Sequence, residues 1–162
     1  HGVLYGHVAR ANPQWRSAPV GEALAIFMGP DAYVSPSWYP TKQATGKVVP
    51  TWNYTAVHAH GAVEFFEDTE RLLALVTRLT DHHEKPRAKP WAVSDAPEGY
   101  IQSQLKGIVG VKLTISRVEG KRKLSQNRST PDHRGVIDGL AASPLEKDHA
   151  VRALMQSSKQ IS

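Results

Sequence analysis

Cysteine is absent from the 162-residue sequence, which excludes disulfide bonds and metal sites built on thiolates. The sequence also has no apolar run long enough to cross a bilayer and no signal peptide at its start, where His1–Tyr5 already resembles a strand. The first residue is not methionine, so we expect this chain to be a fragment whose N-terminal part is missing. Together these features predict a cytoplasmic protein that does not bind a membrane.

Several functional signatures are missing as well. The sequence has no Gly-x-Ser-x-Gly nucleophile elbow, no glycine-rich phosphate loop and no helix-turn-helix signature. His58 and His60 have the spacing of two metal ligands on one strand face, but no acid or third histidine stands convincingly beside them. We therefore predict no metal site and no serine hydrolase, and direct reading of DNA is not supported.

The charge balance is mildly basic. Lys and Arg total 20 against 15 acidic residues, a net charge of +5, and 40% of the residues are apolar. A chain of this size can form one domain with a real core, and its charge suits an anionic partner: a phosphorylated cofactor, nucleic acid or an acidic protein. The basic residues cluster only weakly, at Lys121–Lys123 and Arg128. The net charge therefore does not indicate which of these three classes of partner binds.

Hydrophobic periodicity predicts a run of strands before any long helix. The predicted strands are Val3–Ala9, Ala23–Met28, Ala32–Ser35, a central strand within Lys47–Gly61 that continues to Phe66, and Gly110–Val118. The predicted connections are turns at Gly29–Asp31 and Glu119–Gly120 and a polar, hairpin-like segment at Thr41–Gly46. The predicted helices start at Asp68, at Ala96–Glu98, and at Ser143, the last being a C-terminal helix over about 143–157. This order favours an α+β or mainly β fold, or a barrel with helical additions.

The central strand is the most informative stretch. Read with a period of two, it places Trp52, Tyr54, Ala56, His58 and His60 on one face. A face with large rings and polar tips suits a flat aromatic ligand or a wet dimer interface. The alternative is a half-buried strand whose aromatic residues line a core.

Three polar clusters interrupt the apolar frame. Gly6–Pro13 ends a strand with Arg10 and Asn12, which could hold a phosphate or form a solvated surface turn. Ser35–Tyr39 offers hydroxyls beside rings that could bind a ring system, or else a proline-rich loop that Trp38 pins to the core. Lys121–Arg128 combines cations, a hydroxyl and two amides, which suit an anion or a ring edge, or else form an exposed basic turn.

Longer motifs stand in a fixed order along the chain: Gly6–Pro13, Gly29–Tyr39, Val49–Tyr54 with Val57–Gly61, Ile108–Gly110 and Lys123–Arg128. Together they resemble the PaiB-like proteins, called FMN-binding negative transcriptional regulators, over residues 1 to about 140. The resemblance implies one domain over 1–162, an FMN-binding split β-barrel of the pyridoxamine-phosphate-oxidase type with added helices. It further implies a homodimer with FMN at its interface. Family members usually carry a further N-terminal segment with strands, so barrel strands are expected to be missing here.

The resemblance also assigns site residues. Near the phosphate or ribityl chain it implies His7, Arg10 and Asn12. Around the ring it implies Ser35, Ser37, Trp38 and Tyr39, supported by Trp52, Asn53 and Tyr54. From the partner subunit it implies Lys123, Ser125, Gln126 and Asn127.

Three functions remain open at this point. The leading one is a flavoprotein that acts as a negative transcriptional regulator, with repression either direct on DNA or indirect through flavin redox state or a small metabolite. The second is an FMN-dependent oxidoreductase, in which the flavin supplies the redox chemistry. The third is a dimeric binding module that has lost its cofactor.

Overall fold

The computed structural model describes residues 2–17 and 20–158. Its strands are β1 (Val3–Ala9), β2 (Ala23–Val34), β3 (Thr51–Phe66) and β4 (Ile108–Lys123), and they form one sheet in the order β1-β4-β3-β2. β1 pairs with β4 antiparallel, with Val3 opposite Thr114 and Ala9 opposite Ile108. This α+β arrangement around an antiparallel sheet agrees with the predicted split-barrel fold class.

The helices are α1 (Thr41–Thr45), α2 (Thr69–Glu84), α3 (Glu98–Leu105), α4 (Thr130–Ala141) and α5 (Glu146–Ser158), with 3-10 turns at Pro13–Arg16, Pro36–Trp38 and Val93–Asp95. α2 begins where the sequence predicted, because the Asp68 carboxylate accepts a hydrogen bond from the backbone N–H of Arg71 over 2.8 Å. None of the helices among the described residues is both long and apolar enough to span a membrane.

Two predicted turns are wrong. β2 runs through Gly29–Asp31 without a break, and β4 runs through Glu119–Gly120 to Lys123. β2 is an edge strand of the sheet, so Pro30 need not donate to a neighbouring strand. Gly29 is required because a Cβ there would lie 2.2 Å from Thr55 Oγ1 on β3.

Two helices differ from the prediction. The polar segment at Thr41–Gly46 was expected to be hairpin-like, yet it forms α1, which ends at Gly46 in the left-handed conformation with φ of 66°. α4 was not predicted at all. Its sequence contains two glycines, which lower helix propensity, so its stability depends on packing rather than on local preference.

The chain divides into two compact units, each assembled from two separate segments. Unit 1 comprises residues 1–24 and 59–117, and its core is formed by Phe66, Leu72, Leu75 and Leu105. Unit 2 comprises residues 25–58 and 118–162, and its core is formed by Ala32, Val34, Tyr39, Leu124, Val136, Leu140, Val151 and Met155.

Candidate functional site

Unit 2 carries a group of exposed or half-buried rings and ammonium groups, here called the aromatic surface: Tyr33, Trp52, Tyr54, Lys123 and Lys147. Tyr33 on β2 and Trp52 on β3 meet edge to face with ring centroids 5.9 Å apart, and they are 46% and 47% exposed. Nζ of Lys147 lies 5.6 Å from the centre of the Trp52 ring, and Nζ of Lys123 lies 6.0 Å from that of Tyr54. The surface therefore combines open ring faces with two ammonium groups, of which that of Lys147 also lies 3.6 Å from Oδ2 of Asp31.

The third cluster of the sequence joins β3 beneath this surface. Nζ of Lys123 donates to Oγ1 of Thr51 over 2.6 Å, and the hydroxyl of Ser125 donates to Oδ1 of Asn53 over 3.0 Å. Asn53 is fully buried, and its amide also donates to the sulfur of Met155 over 3.4 Å. Lys123 and Ser125 thus contact predicted site residues and their neighbours within the same chain. Their contribution to a partner's flavin stays a prediction.

Gln126 and Asn127 behave differently from each other. The Gln126 side chain accepts a hydrogen bond from the backbone N–H of Leu124 over 2.7 Å and donates one to the Arg122 carbonyl over 2.6 Å. It therefore closes the turn after β4. Asn127 is exposed, so its side chain can reach a ligand or a partner without first breaking a core contact.

Trp38 and Tyr39 pack into unit 2 in the way that the structural alternative predicted. A Cβ on Gly139 of α4 would lie 2.3 Å from the Trp38 ring, and one on Gly135 would lie 2.0 Å from the Trp38 carbonyl oxygen. Tyr39 is buried, and the Arg128 guanidinium lies 4.8 Å from the centre of its ring. These contacts pin the loop to the core, and a role for the two rings beside a flavin stays a prediction.

The two serines of the same loop stabilise its turn. Oγ of Ser35 accepts a hydrogen bond from the Ser37 N–H over 3.2 Å, which caps the 3-10 turn. Oγ of Ser37, which is exposed, accepts from Nζ of Lys42 over 3.4 Å. Ser37 therefore presents a hydroxyl beside a cation at the surface of unit 2.

In unit 1, the predicted phosphate residues already have partners. Nε of Arg10 donates to the Lys106 carbonyl over 2.6 Å, and its guanidinium forms an ion pair with Glu67. Oδ1 of Asn12 accepts from the Gln14 N–H over 2.9 Å and caps the turn that follows β1. Arg10 and Asn12 thus hold the end of β1 in place.

His7 is exposed and lines a cleft of about 250 Å³ between β1, α2 and α3. The other walls are mostly apolar and include Trp91, Tyr100 and Ile101. Sequence reasoning did not find this cleft of unit 1, because its walls come from elements far apart in the chain.

Asp132 is a buried carboxylate that sequence reasoning missed. Oδ1 accepts from the Thr41 N–H over 3.0 Å and Oδ2 accepts from the Thr41 hydroxyl over 2.8 Å. The hydrogen bond from the Thr41 backbone, aided by the hydroxyls of Thr41 and Ser129 and by the Arg128 charge, outweighs burial and lowers the pKa of Asp132. The sequence contains a local signal for this site, since Ser129-Thr-Pro-Asp132 is a helix N-terminus with its capping serine.

One expectation about His58 is wrong. The Glu119 carboxylate lies within 4.8 Å of an imidazole nitrogen of His58, so an acid does stand beside this histidine. Sequence reasoning missed Glu119 because the strand was expected to end at Val118 and Glu119 to lie in a turn. The predicted absence of a metal site stays a prediction.

Comparison with known proteins decides the family. The family model described as "Putative FMN-binding domain" matches residues 1–117 of this chain. The chain belongs to this FMN-binding family. The membership confirms the resemblance to the PaiB-like proteins and identifies FMN as the cofactor of the FMN-binding domain.

Two curated relatives illustrate the family. An uncharacterized protein of Aspergillus fumigatus is 40% identical over an aligned length of 172 residues. The match covers 86% of this chain and 66% of the relative. The protease synthase and sporulation protein PAI 2 of Bacillus subtilis is 40% identical over 141 residues, which cover 86% of this chain and 65% of the relative. The chain thus spans slightly less than two thirds of the length of these relatives. Among solved structures, the flavocytochrome Anf3 of Azotobacter vinelandii matches 91% of this chain and 56% of its own chain, with 16% identity and a TM-score of 0.44.

Proposed function

We propose that this protein is a dimeric flavoprotein that binds FMN on the aromatic surface of unit 2 and acts as a negative regulator of transcription. The observation that carries the proposal is the Tyr33–Trp52 pair, two nearly half-exposed rings with the Lys147 ammonium group beside them. An isoalloxazine is flat and largely apolar, and its phosphate tail is anionic. The donor set of the surface fits both parts, because the rings can stack on the flavin and the lysines can bind the phosphate.

Each residue of the surface has a definite task in this proposal. Trp52 and Tyr33 would contact the ring system, and Tyr54 would extend the same face of β3. Lys123 would offer its charge to the phosphate while its ammonium group keeps donating a hydrogen bond to Oγ1 of Thr51. When bound, FMN supplies one- and two-electron redox chemistry, and the protein supplies binding and orientation.

The edge of the sheet supports a homodimer. Ile26, Phe27 and Met28 follow one another on β2 and are 54%, 51% and 63% exposed. Within the part of the chain that the structure describes, β2 has a sheet neighbour on one side only. An exposed apolar edge strand is unfavourable in water and is usually covered, so a second copy of this chain is the partner that we propose.

Regulation is proposed to be indirect. The net charge of +5 is compatible with DNA, but the bases are too dispersed for a dedicated reading surface. Flavin redox state or a small metabolite would then control repression through another factor. A direct repressor would instead retard promoter DNA as a pure protein, with an affinity that falls steeply with salt.

Titration of purified protein with FMN, followed by quenching of flavin fluorescence, tests the binding site. We expect Trp52→Ala to weaken FMN binding at least tenfold. Tyr5→Ala is the matched control, because Tyr5 is an exposed ring of unit 1 at 45% exposure and does not line the His7 cleft, and this variant should bind FMN as the wild type does. Equal affinities in all three proteins would remove the aromatic surface from the site, and no binding by the wild type would end the proposal.

Light scattering after size exclusion tests the dimer. Phe27→Asp places a charge on the apolar edge and should shift the protein toward a monomer. Tyr100→Asp introduces the same charge at an exposed ring of α3 in unit 1 and should leave the molecular mass unchanged. A wild-type protein that is monomeric at tens of micromolar would contradict the dimer.

The open rings also favour a second candidate, an FMN-dependent oxidoreductase. Trp52 and Tyr33 are accessible to solvent, so a second substrate could approach a flavin that is bound there. Bleaching of the flavin absorbance by NADH or NADPH, followed by turnover of an acceptor, would favour the enzyme over the regulator.

A further inference from the structure

A separate cleft of about 420 Å³ opens within unit 2 between α4 and α5. Its walls include Arg134, Arg152 and His133, together with Thr130 and Asp138. All of these residues follow residue 117, so the cleft lies outside the part of the chain that matches the FMN-binding family. Its volume falls within the range of small-molecule sites.

Arg152 is the first indication of a ligand. Its Nε is buried, and no hydrogen-bond partner for it occurs among the described residues. A buried guanidinium N–H without an acceptor is costly, and most such groups in proteins have one. The cleft that Arg152 lines is the place from which an acceptor could come.

The charges around the cleft are unbalanced. Within residues 2–17 and 20–158, neither Arg134 nor Arg152 forms an ion pair. Asp138 is the one carboxylate in the walls, so two guanidinium groups face one negative charge. Two planar cations in one concave site are the arrangement that recognises a phosphate, because each can donate two parallel hydrogen bonds.

The remaining polar groups complete the site. Thr130 is the first residue of α4, where a hydroxyl and the positive end of the helix both favour an anion. Asp138 lies two turns further along α4 and can accept a hydrogen bond from a hydroxyl or amino group. The cleft therefore has a cationic part and an acceptor part.

We propose that the α4–α5 cleft binds a small phosphomonoester metabolite. Arg134, Arg152 and Thr130 hold the phosphate, and Asp138 accepts a hydrogen bond from a hydroxyl of the ligand. This site goes beyond FMN binding, because it gives the protein a second small-molecule ligand that can be present at the same time as the flavin.

Isothermal titration calorimetry of the full chain, preloaded with FMN, tests the site. The probes are glycerol 3-phosphate and inorganic phosphate, with chloride at matched ionic strength as the blank. We expect glycerol 3-phosphate to bind more tightly than inorganic phosphate, because only the former carries alcohol hydroxyls, which can donate to Asp138 while the arginines hold the phosphate. No heat with either probe would overturn the proposal.

Substitutions locate the binding. Arg134→Gln and Arg152→Gln should each weaken binding of glycerol 3-phosphate at least tenfold, and Arg134 is exposed, so its variant should keep the fold. Arg122→Gln is the matched control, because Arg122 is an exposed arginine of unit 2 outside the cleft, and it should bind as the wild type does. An equal loss of glycerol 3-phosphate binding in Arg122→Gln would show that the effect depends on net charge alone, and it would overturn the site. Binding seen in FMN-free protein but abolished by FMN would show that the cleft serves the flavin phosphate, which would overturn the claim of a second ligand.

Discussion

Ser125 donates a hydrogen bond to Oδ1 of Asn53 over 3.0 Å, and both side chains are buried. Ser125 follows the end of β4 and has a φ of 60°, a left-handed conformation that is uncommon for a residue other than glycine. The hydrogen bond explains this conformation, because the left-handed backbone directs the Ser125 hydroxyl toward Asn53 near the start of β3. Asn53 is thus part of the core of unit 2 as well as a neighbour of the aromatic surface.

Replacing Asn53 should therefore destabilise the protein. Asn53→Ala removes the acceptor of Ser125 and the donor to Met155 and leaves a buried hydroxyl unpaired, at a cost of about 1–3 kcal/mol. Urea denaturation measures the change. Asn127→Ala is the control, because Asn127 is exposed in the same segment, and its free energy of unfolding should change by less than about 0.5 kcal/mol. Similar values for the two variants would show that the buried hydrogen bond contributes nothing.

Gly139 and Gly99 make a matched pair of helical glycines. A Cβ on Gly139 would overlap the Trp38 ring at 2.3 Å, so Gly139→Ala should destabilise the protein by about 1–3 kcal/mol through overpacking. A Cβ on Gly99 of α3 would meet nothing within 4 Å, so Gly99→Ala should stabilise the protein, by up to about 1 kcal/mol. Thermal denaturation gives the order of stability. Equal melting temperatures for the two variants would contradict the close packing of Trp38 on α4.

Asp132 should make stability depend on pH. Its lowered pKa means that the folded state holds the ionised carboxylate more favourably than the unfolded chain does. The contribution is present above the unfolded pKa, about 4, and is lost as the pH falls through the folded value. The difference in free energy of unfolding between wild type and Asp132→Asn should thus be largest at pH 7 and shrink below pH 4. A difference that stays constant from pH 7 to pH 3 would contradict the assignment, and Asp81→Asn, at an exposed position of α2, provides the baseline.

Arg10→Ala separates two roles of one side chain. The loss of its hydrogen bond to the Lys106 carbonyl and of its exposed ion pair with Glu67 should lower the free energy of unfolding by about 1 kcal/mol. The role that the family resemblance implies for Arg10 predicts in addition that the Arg10→Ala variant binds FMN more weakly than the wild type. The affinity should be measured well below the melting temperature of the variant. Unchanged affinity would remove Arg10 from the cofactor site, and unchanged stability would show that its contacts at the end of β1 contribute nothing. Arg16→Ala, at an exposed arginine in the turn after β1, controls for the loss of charge.

The elements that could be predicted from sequence are those with strong local signals. β1 was predicted with its bounds, because Val3–Ala9 is rich in apolar residues and Pro13 prevents its extension. α2 was predicted from the Asp68 cap and the leucine stripe that follows it. These signals act within a few residues, so no knowledge of the fold is needed to read them.

The elements that were missed depend on contacts between distant residues. Read from the sequence alone, Gly135 and Gly139 disfavour a helix. The fold shows why α4 contains them, since the Trp38 loop packs so closely on α4 that no Cβ fits at either position. Pro30 argues for a turn, and only the edge position of β2 explains why the strand continues. The same holds for the candidate site. Its motifs could be recognised from the sequence, but the contacts that Arg10, Gln126 and Tyr39 form in the fold could not be predicted from it.

The core of unit 2 has a consequence for expressing parts of this protein. The family match ends at residue 117, yet Val34 and Tyr39 are covered by Leu124, Val136, Leu140, Val151 and Met155, all of which follow it. A shortened gene product that stops at the end of the recognised domain would leave these side chains facing water. We expect such a product to form inclusion bodies, whereas one that continues through α5 should be recovered from the supernatant.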